Sequence, residues 1–332
     1  MARVIDTHGH YMPLKLMDAF RTTRLAKSTS FLWDDPAYSD LSHHITVMDK
    51  VGVDAEVLVP SALLLESFGA AGISSEEGMR TVNDAYAAAE KAHPGRFIGT
   101  IAIDPFAGTT TLREIERGVT KLGLKAISMM TSYDGLYSDT EQFWPIYKLA
   151  QELDILVMLH PVAVTPYWKE MQRAEATVLR AEVSMLVDNT IAVGRMVRYG
   201  VYDKFPEVNF LYCQLGGMIP FIYGRFDCFQ SILMSHAWED VKHEAILNPP
   251  KTLREYKGRI MGDCHSMDHT AIELAAENLG VDCMVFGGDY PISPWHGSMK
   301  MCFDEIHAAR LSTKDKEKIL GGNAARLLKL DK

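Results

Sequence analysis

Two histidines stand two residues apart near the beginning of the chain, at the end of the stretch that starts Val4-Ile5. In a β-strand, residues i and i+2 point to the same face, so the His8 and His10 imidazoles should project together. Neutral imidazole is the commonest metal ligand, and two such rings form half of a zinc-type site. A hydrogen-bonded pair at a strand end explains the same spacing. The pair alone therefore leaves both interpretations open.

Other side chains able to do chemistry also follow short apolar runs. They are His160, Gln214, Asp263 with His265, and Asp289. Each of them has an ordinary structural explanation as well, such as a hydrogen-bonded histidine or a carboxylate that caps a turn. His43 and His44 lie where apolar residues have helical spacing, and adjacent residues on a helix diverge by about 100°. We interpret these two as surface residues of a helix.

The elements that position these residues alternate in type along the chain. Eight short apolar runs read as strands buried on both faces, and helical patterns separate them. The predicted strands are residues 4–10, 54–60, 97–103, 125–130, 155–160, 209–214, 259–264 and 284–289. This alternation predicts an α/β fold, a (β/α)8 TIM barrel with a long loop insertion at residues 14–42 after the first strand. A doubly wound open sheet is the alternative, weakened because no GxGxxG turn follows the first strand.

The barrel interpretation brings the candidate residues to one place. In such barrels the active site lies at the carboxyl ends of the strands. His8, His10, His160 and Asp289 would meet there, from the first, fifth and eighth strands. Three imidazoles and a carboxylate suit a divalent cation and leave a position for water. No Pro-, Gly- or Ser-rich stretch divides the chain, so we expect a single domain spanning residues 1–332.

Composition excludes several classes of protein. The 332 residues are 47% hydrophobic and 23% charged, with a net charge of −9, which argues against nucleic-acid binding and against an anionic membrane surface. The sequence has no run of 18 apolar residues and no apolar leader near its beginning, so we expect no membrane span and a cytoplasmic protein. The five cysteines are scattered without CxxC spacing, which is typical of free thiols in a reducing compartment.

Several motifs spread over nearly the whole chain resemble those of one family. They are Ile5-Asp6-Thr7-His8-Gly9-His10, Leu159-His160-Pro161, Lys204-Phe205-Pro206, Gly216-Gly217-Met218-Ile219-Pro220-Phe221, Gly224-Arg225, Phe286-Gly287-Gly288-Asp289-Tyr290-Pro291 and Gly322-Asn323-Ala324. In this order they resemble the amidohydrolase superfamily, in its amidohydrolase-2 branch. That branch includes aminocarboxymuconate semialdehyde, γ-resorcylate and 5-carboxyvanillate decarboxylases and 4-oxalomesaconate hydratase. The motifs are specific for the branch and not for a substrate.

The resemblance implies roles for particular residues. His8, His10, His160 and Asp289 would bind one Zn²⁺ or Mn²⁺. Arg225 would reach into the site of a neighbouring subunit, which implies a homodimer or a higher homo-oligomer. A planar guanidinium that pairs with a substrate carboxylate supplies the physical reason. A cation on a helix surface is the alternative for Arg225.

One position departs from the family pattern. Relatives end the sixth strand in a catalytic His before the glycines, and this chain has Gln214 there, followed by Leu215. A carboxamide cannot transfer a proton near neutral pH, although it can donate and accept hydrogen bonds. His265 is the best local substitute by position, and Asp263 is either an acid/base or the partner of a metal ligand.

The resulting prediction is a metal-dependent, non-oxidative decarboxylase acting on a small aromatic or unsaturated cyclic carboxylate. Asp289, His265, Gln214 and Asp263 are the candidate catalytic residues. The candidate substrate-binding residues are Arg225, Arg180, Trp168 and Trp33. A hydrolase or hydratase acting on a lactone, an amide or a muconate is the alternative, favoured by Gln214. A barrel that only binds a ligand is a third possibility, disfavoured because it would not need the ligand set.

Overall fold

The strands form a ring of parallel neighbours. The structure is a computed structural model and describes residues 3–28, 33–162, 180–234, 251–292 and 297–330. The strands are β1 (Ile5–His10), β2 (Ala55–Val59), β3 (Phe97–Gly99), β4 (Ile101–Ala102), β5 (Ala126–Met130), β6 (Ser132–Tyr133), β7 (Leu136–Tyr137), β8 (Leu156–His160), β9 (Phe210–Tyr212), β10 (Ile260–Asp263) and β11 (Met284–Val285).

The ring closes through two junctions. Hydrogen-bonded strands run in the order β1-β2-β3 and, separately, β11-β10-β9-β8-β5-β4. β3 and β4 are two pieces of one strand interrupted at Thr100, which joins the two sets on one side. On the other side, Thr7 N donates to Phe286 O at 2.8 Å and His10 N donates to Tyr290 O at 2.7 Å. The strands therefore enclose a barrel with eight strand positions, as the sequence predicts.

Helices connect consecutive strands around this ring. Within the described ranges, the α-helices are Leu14–Arg21, Arg24–Ser28, Leu41–Val51, Leu64–Ala71, Ser75–Ala92, Thr109–Arg117, Trp144–Leu153, Met185–Arg198, Val201–Lys204, Ile219–Met234, His269–Asn278, Ser298–Ala308, Thr313–Glu317 and Asn323–Leu327. Local signals set several ends. Ser74 Oγ accepts the Glu77 N–H at 3.2 Å and caps the helix Ser75–Ala92, and Gly52 ends a helix at φ +89°.

Burial explains the apolar strands. Every residue of β2, β5 and β8 is buried, because the barrel interior covers one face and the helices cover the other. The same holds for β1, although it carries Asp6, Thr7, His8 and His10. A strand that buries so many polar groups needs internal partners for them, and these partners build the site described below. None of the described helices combines the length and the apolarity that crossing a membrane requires.

The long loop predicted after β1 is not confirmed. Within residues 14–42, the described part contains the helices Leu14–Arg21 and Arg24–Ser28 and a 3₁₀ turn at Pro36–Tyr38. Leu16, Met17 and Phe20 are buried on one face of the first helix, a periodicity that the mixed composition of the segment obscures. The hairpin of β6 and β7 was also not predicted, because each of its strands has only two residues.

Candidate metal centre

Three histidine rings and one carboxylate meet at the mouth of the barrel. His8 and His10 come from β1, His160 ends β8, and Asp289 follows β11. The His8 and His10 Nε2 atoms are 3.1 Å apart. Asp289 Oδ1 lies 3.0 Å from His10 Nε2 and 3.3 Å from His8 Nε2. One ligand atom from each of the four residues lies within 4.8 Å of the others. The structure thus brings together the four residues predicted as metal ligands.

The opposite nitrogen of each ring is held by an acceptor. His8 Nδ1 contacts Asp263 Oδ2 at 2.8 Å, His10 Nδ1 contacts Pro60 O at 3.2 Å, and His160 Nδ1 contacts Pro161 O at 2.7 Å. Carbonyl and carboxylate oxygens accept hydrogen bonds, so each Nδ1 carries the proton. Each Nε2 is then left with a lone pair directed into the site. This arrangement is the one that metal-ligating histidines adopt.

The donor set fits a divalent cation. The Nε2 of His160 and the Oδ1 of Asp289 are buried and form no hydrogen bond with any described residue. Unpartnered buried polar atoms are costly, and lone pairs facing each other at about 3 Å repel. A cation among them would remove both penalties. Three neutral nitrogens and one carboxylate suit zinc and manganese.

The protonation states of His160 and Asp289 favour the same ligand form. For His8, burial lowers the pKa, but Cys213, Asp289 and Asp263 outweigh it and raise the pKa above its usual value, so a metal would displace a proton from this ring. Burial lowers the pKa of His160 to about 3, and His10 and His8 act in the same direction. Burial alone would raise the pKa of Asp289, but His8, His265 and His10 outweigh it and bring the pKa well below its usual range. His160 is therefore neutral and Asp289 ionised at neutral pH. Those are the forms that coordinate a metal.

Asp263 supports the ligands. Its Oδ2 accepts from His8 Nδ1, and its Oδ1 accepts the backbone N–H groups of Gln214 at 2.8 Å and His265 at 3.0 Å. Asp263 is buried, with 1% exposure, and its carboxylate already accepts three hydrogen bonds, so it is not free to contact a substrate. The geometry favours the partner of a metal ligand over an acid/base, which the sequence left open.

His265 lies beside the metal ligands with both ring nitrogens unengaged. Its Nδ1 is 3.7 Å from Asp289 Oδ2, and its ring centroid is 6.0 Å from that of His8. Both nitrogens are buried and form no hydrogen bond with the residues the structure describes. Burial lowers the pKa of His265, and Asp289 opposes that effect. A neutral ring next to the ligands is available to accept a proton.

Gln214 is oriented by Asn189. Asn189 Nδ2 donates to Cys213 O at 3.0 Å, so this atom must be the amide nitrogen. The Gln214 atom 3.3 Å from the same nitrogen must then be the acceptor Oε1. Gln214 has φ +56° and follows the last residue of β9, Tyr212, by two positions, so it belongs to a turn and not to the strand predicted for it. Its carboxamide is held as a hydrogen-bonding group.

The predicted substrate-binding residues lie in different places. Trp33 is 3% exposed and packs edge-on against Phe20, with its ring centroid 5.4 Å from that of Tyr38. The prediction that Trp33 lines the pocket is therefore not supported, because its ring is used in core packing. Arg225 is exposed on the helix Ile219–Met234 and lies over the Phe229 ring at 4.9 Å. Trp168 and the side chain of Arg180 lie outside what the structure describes.

A cavity opens beside the ligands at the same face of the barrel. Its volume is about 390 Å³, within the range of small-molecule sites. Its wall combines apolar side chains, among them Leu63, Ile103 and Met130, with polar ones that include Glu66 and Asp134. Val162 is two residues beyond His160, and Met130 pairs with His160 across the sheet. None of the four predicted ligands lines the cavity itself, but its wall includes residues next to His160 in sequence and across the sheet.

Sequence reasoning missed two buried residues near the site. His44 is fully buried, so its interpretation as a surface residue is wrong, whereas the His43 side chain is 45% exposed. Glu56, an acidic residue within the apolar strand β2, is also fully buried. A charged residue within a strand buried on both faces is the signal that could have identified this pair.

A barrel with these four buried ligand atoms at its mouth is typical of a class of metal-dependent enzymes. Comparison with known proteins assigns the chain to that class. Residues 5–330 match the family model described as Amidohydrolase. The chain therefore belongs to the amidohydrolase family.

Three relatives show the range of activities among similar proteins. The 2-amino-3-carboxymuconate-6-semialdehyde decarboxylase of Dictyostelium discoideum is 25% identical over 75% of this chain and 66% of its own length. The γ-resorcylate decarboxylase of a Polaromonas species is 25% identical over 87% of both chains. The 2-keto-4-carboxy-3-hexenedioate hydratase of a Sphingobium species is 25% identical over 68% of this chain and 69% of its own.

A solved structure confirms the fold. The 5-carboxyvanillate decarboxylase of Novosphingobium aromaticivorans, crystallised with manganese and 4-hydroxy-3-methoxy-5-nitrobenzoic acid, superposes with a TM-score of 0.82. It is 22% identical, and the match covers 99% of this chain and 96% of that one. At this identity the likeness establishes the shared architecture.

Proposed function

We propose that the protein is a metal-dependent, non-oxidative decarboxylase, a carboxy-lyase acting on a small aromatic or unsaturated cyclic carboxylate. The observation that carries the proposal is the convergence of four buried ligand atoms, from His8, His10, His160 and Asp289, at the face of the barrel where a cavity opens. The similarity to two decarboxylases supports the reaction class. The ion is Zn²⁺ or Mn²⁺, since imidazole and carboxylate suit both.

The bound ion would supply Lewis-acid polarisation of substrate oxygens. The residues of the chain do the rest. Asp263 and the carbonyls of Pro60 and Pro161 keep the three rings oriented. The apolar part of the cavity wall, which includes Leu63, Ile103 and Met130, would contact the ring of the substrate.

His265 is the proposed proton carrier. Loss of CO₂ leaves the electron pair of the broken carbon–carbon bond on the substrate, and a proton must reach that carbon. The two unengaged nitrogens of His265 can take a proton from a substrate hydroxyl or from solvent and deliver it there. Gln214 has no such capacity, and we assign it the role of a fixed hydrogen-bond partner for a substrate oxygen.

Hydration is the second candidate reaction. Gln214, together with the similarity to a hydratase, favours it. In that reaction water adds across an activated double bond, and no carbon leaves as CO₂. The two decarboxylases match larger shares of this chain, 75% and 87% against 68% for the hydratase, which ranks decarboxylation first.

The proposed functional unit is a homodimer in the cytoplasm. Arg225 is exposed on a helix whose Phe221 side chain is 81% exposed, so this face is suited to a second copy of the chain. The guanidinium would then reach the carboxylate bound in the partner's site. The cytoplasmic location is proposed from the sequence, whose five cysteines are scattered without CxxC spacing.

A panel assay tests the reaction. Purified protein loaded with Zn²⁺ or Mn²⁺ is incubated with ortho-hydroxy and ortho-amino aromatic carboxylates, and CO₂ is followed by a coupled assay. We expect CO₂ release from at least one ortho-hydroxybenzoate, loss of activity after chelation, and recovery on addition of metal. His265→Asn should lower kcat by about 100-fold or more, the usual contribution of general acid–base catalysis.

His43→Asn provides the matched control, because the same change is made on an exposed helix position and should leave kcat unchanged. A parallel panel of muconates and lactones is monitored for water addition. Absence of CO₂, with hydration in this second panel, would reject decarboxylation in favour of the second candidate.

A further inference from the structure

A buried pair of ionisable residues lies directly behind the proposed metal ligands. His44, on the helix Leu41–Val51, and Glu56, on β2, are both completely buried. His44 Nδ1 is 2.6 Å from Glu56 Oε2, and His44 Nε2 is 2.9 Å from Ala37 O. Neither side chain belongs to the ligand set or contacts the cavity described above.

The contacts of His44 indicate an ion pair. The carbonyl of Ala37 can only accept, so His44 Nε2 carries a proton. Burial lowers the pKa of His44, but Glu56 outweighs it and raises the pKa above its usual value, which favours a second proton on Nδ1, donated to Glu56 Oε2. Glu56 pairs in register with Asp6 across β1 and β2, so two carboxylates share this buried region. A cation next to Glu56 lowers the cost of burying both.

Glu56 contacts the residue between the two histidine ligands of β1. A Cβ atom built on Gly9 would lie 2.3 Å from the Cδ and Oε1 atoms of Glu56 and 2.6 Å from its Cγ. Only the hydrogen of glycine fits there, because two non-bonded carbon atoms in contact need a separation of about 3.5 Å. The carboxylate of Glu56 therefore sets how closely the backbone between His8 and His10 can approach β2.

His44 contacts the residue after the carboxylate ligand. Its ring meets the Tyr290 ring edge-on, with centroids 4.8 Å apart and an angle of 89°. Tyr290 follows Asp289, and its backbone bridges to Gly9. The pair thus touches both segments that carry ligands, one from β1 and one from the end of β11.

We propose that the His44–Glu56 pair is a positioning unit for the metal centre, which holds Gly9 and Tyr290 so that His8, His10 and Asp289 converge. The inference rests on the ligand set of the proposed function. The proposed role predicts more than a loss of stability. Substitutions that disturb the pair should change the affinity for the metal in protein that remains folded.

A double-mutant cycle between positions 9 and 56 tests the claim. The measured quantity is the dissociation constant of Mn²⁺ in competition with a chelator, for protein whose fold is verified by circular dichroism. Gly9→Ala should weaken binding at least tenfold, because its methyl group collides with Glu56. In a Glu56→Ala background the same change should cost less than threefold, because the obstacle is gone.

Two further variants separate positioning from stability. Glu56→Gln keeps the size of the side chain and a hydrogen bond to His44, so the dissociation constant should stay within about threefold of wild type. Gly78→Ala introduces a similar collision, 2.5 Å from the Phe68 ring, between two helices. It should lower stability and leave Mn²⁺ binding unchanged. His44→Ala breaks the pair from its other end and should weaken binding tenfold, which keeps the test valid if Glu56→Ala does not fold.

Equal costs of Gly9→Ala in both backgrounds would overturn the proposal, as would wild-type affinity in folded His44→Ala protein. Absence of Mn²⁺ and Zn²⁺ binding by the wild-type protein would instead reject the ligand set itself. The two failures are therefore distinguishable.

Discussion

The site depends on which nitrogen of each histidine carries the proton. Three acceptors of different origin hold the Nδ1 protons: a carboxylate on β10, and the carbonyl groups of Pro60 and Pro161. The two carbonyls belong to residues directly after the strands β2 and β8. The barrel therefore orients the rings largely with its own backbone, which does not titrate and costs no side-chain entropy.

We expect metal-free protein to lose stability as pH falls, in part through His160. The folded pKa of about 3 lies below the usual value of 6.5, so between these values the unfolded chain binds a proton that the folded chain does not. The contribution of His160 is complete above pH 6.5 and is lost as pH falls towards 3. One such proton corresponds to about 1.4 kcal/mol per pH unit.

Urea unfolding of chelated wild-type and His160→Gln protein at pH 7 and pH 5 measures this. The variant should show a weaker pH dependence of the free energy of unfolding, by about one proton. Parallel curves for the two proteins would show that His160 titrates normally in the folded state.

The junction between β1 and the end of β11 links the ligand-bearing elements. Asp6 Oδ1 accepts the backbone N–H groups of His8 at 2.9 Å and Gly288 at 2.8 Å. One carboxylate thus joins the segment of the first two ligands to the segment of the fourth. The close approach leaves no room for a side chain at position 288. A Cβ there would lie 2.3 Å from Asp6 Oδ2 and 3.0 Å from the Met299 backbone.

Gly288→Ala should therefore destabilise the protein by about 1–3 kcal/mol, the usual cost of overpacking. Gly69→Ala is the matched control: the same change in the helix Leu64–Ala71, where nothing lies within 4 Å of the added carbon. It should stabilise by about 0.5–1 kcal/mol, because alanine loses less backbone entropy than glycine. Urea unfolding measures the free energy of unfolding of both variants. A neutral effect of Gly288→Ala would show that the atoms around position 288 move aside at little energetic cost.

At the scale of the whole molecule, one helix face stands out. Phe221 and Phe229 are exposed, and Arg225 lies between them on the helix Ile219–Met234. An exposed aromatic pair around an arginine is typical of the centre of a protein interface. This face begins next to the turn that carries Gln214, so an interface here would border the active site.

Phe221→Asp should convert the proposed dimer into a monomer, because it removes a large aromatic side chain from the centre of the interface and replaces it with a charge that must lose its water on association. Light scattering after gel filtration measures the mass. Leu14→Asp is the control, since Leu14 is 57% exposed on a different helix. A wild-type protein that is monomeric at micromolar concentration would contradict the dimer, and with it the role of Arg225.

The sequence by itself determined the barrel, its strand positions and the four residues brought together as proposed ligands. This was possible because strands buried on both faces leave continuous apolar runs, and because the ligands follow those runs at the end of the barrel where such sites lie. The exact position of each site residue relative to the end of its strand was harder to predict. Gln214 and Asp289 lie beyond the ends of their strands at positive φ, in conformations that depend on tertiary contacts.

Only the tertiary structure decided what surrounds the ligands. His44 is buried against Glu56 and Tyr290, and Trp33 against Phe20 and Tyr38. Helical spacing alone does not reveal which face such contacts cover. Asp263 became a hydrogen-bond partner of His8 through a contact that spans 255 positions along the chain. Local sequence sets the type of each element, whereas burial and hydrogen bonding result from packing between distant segments.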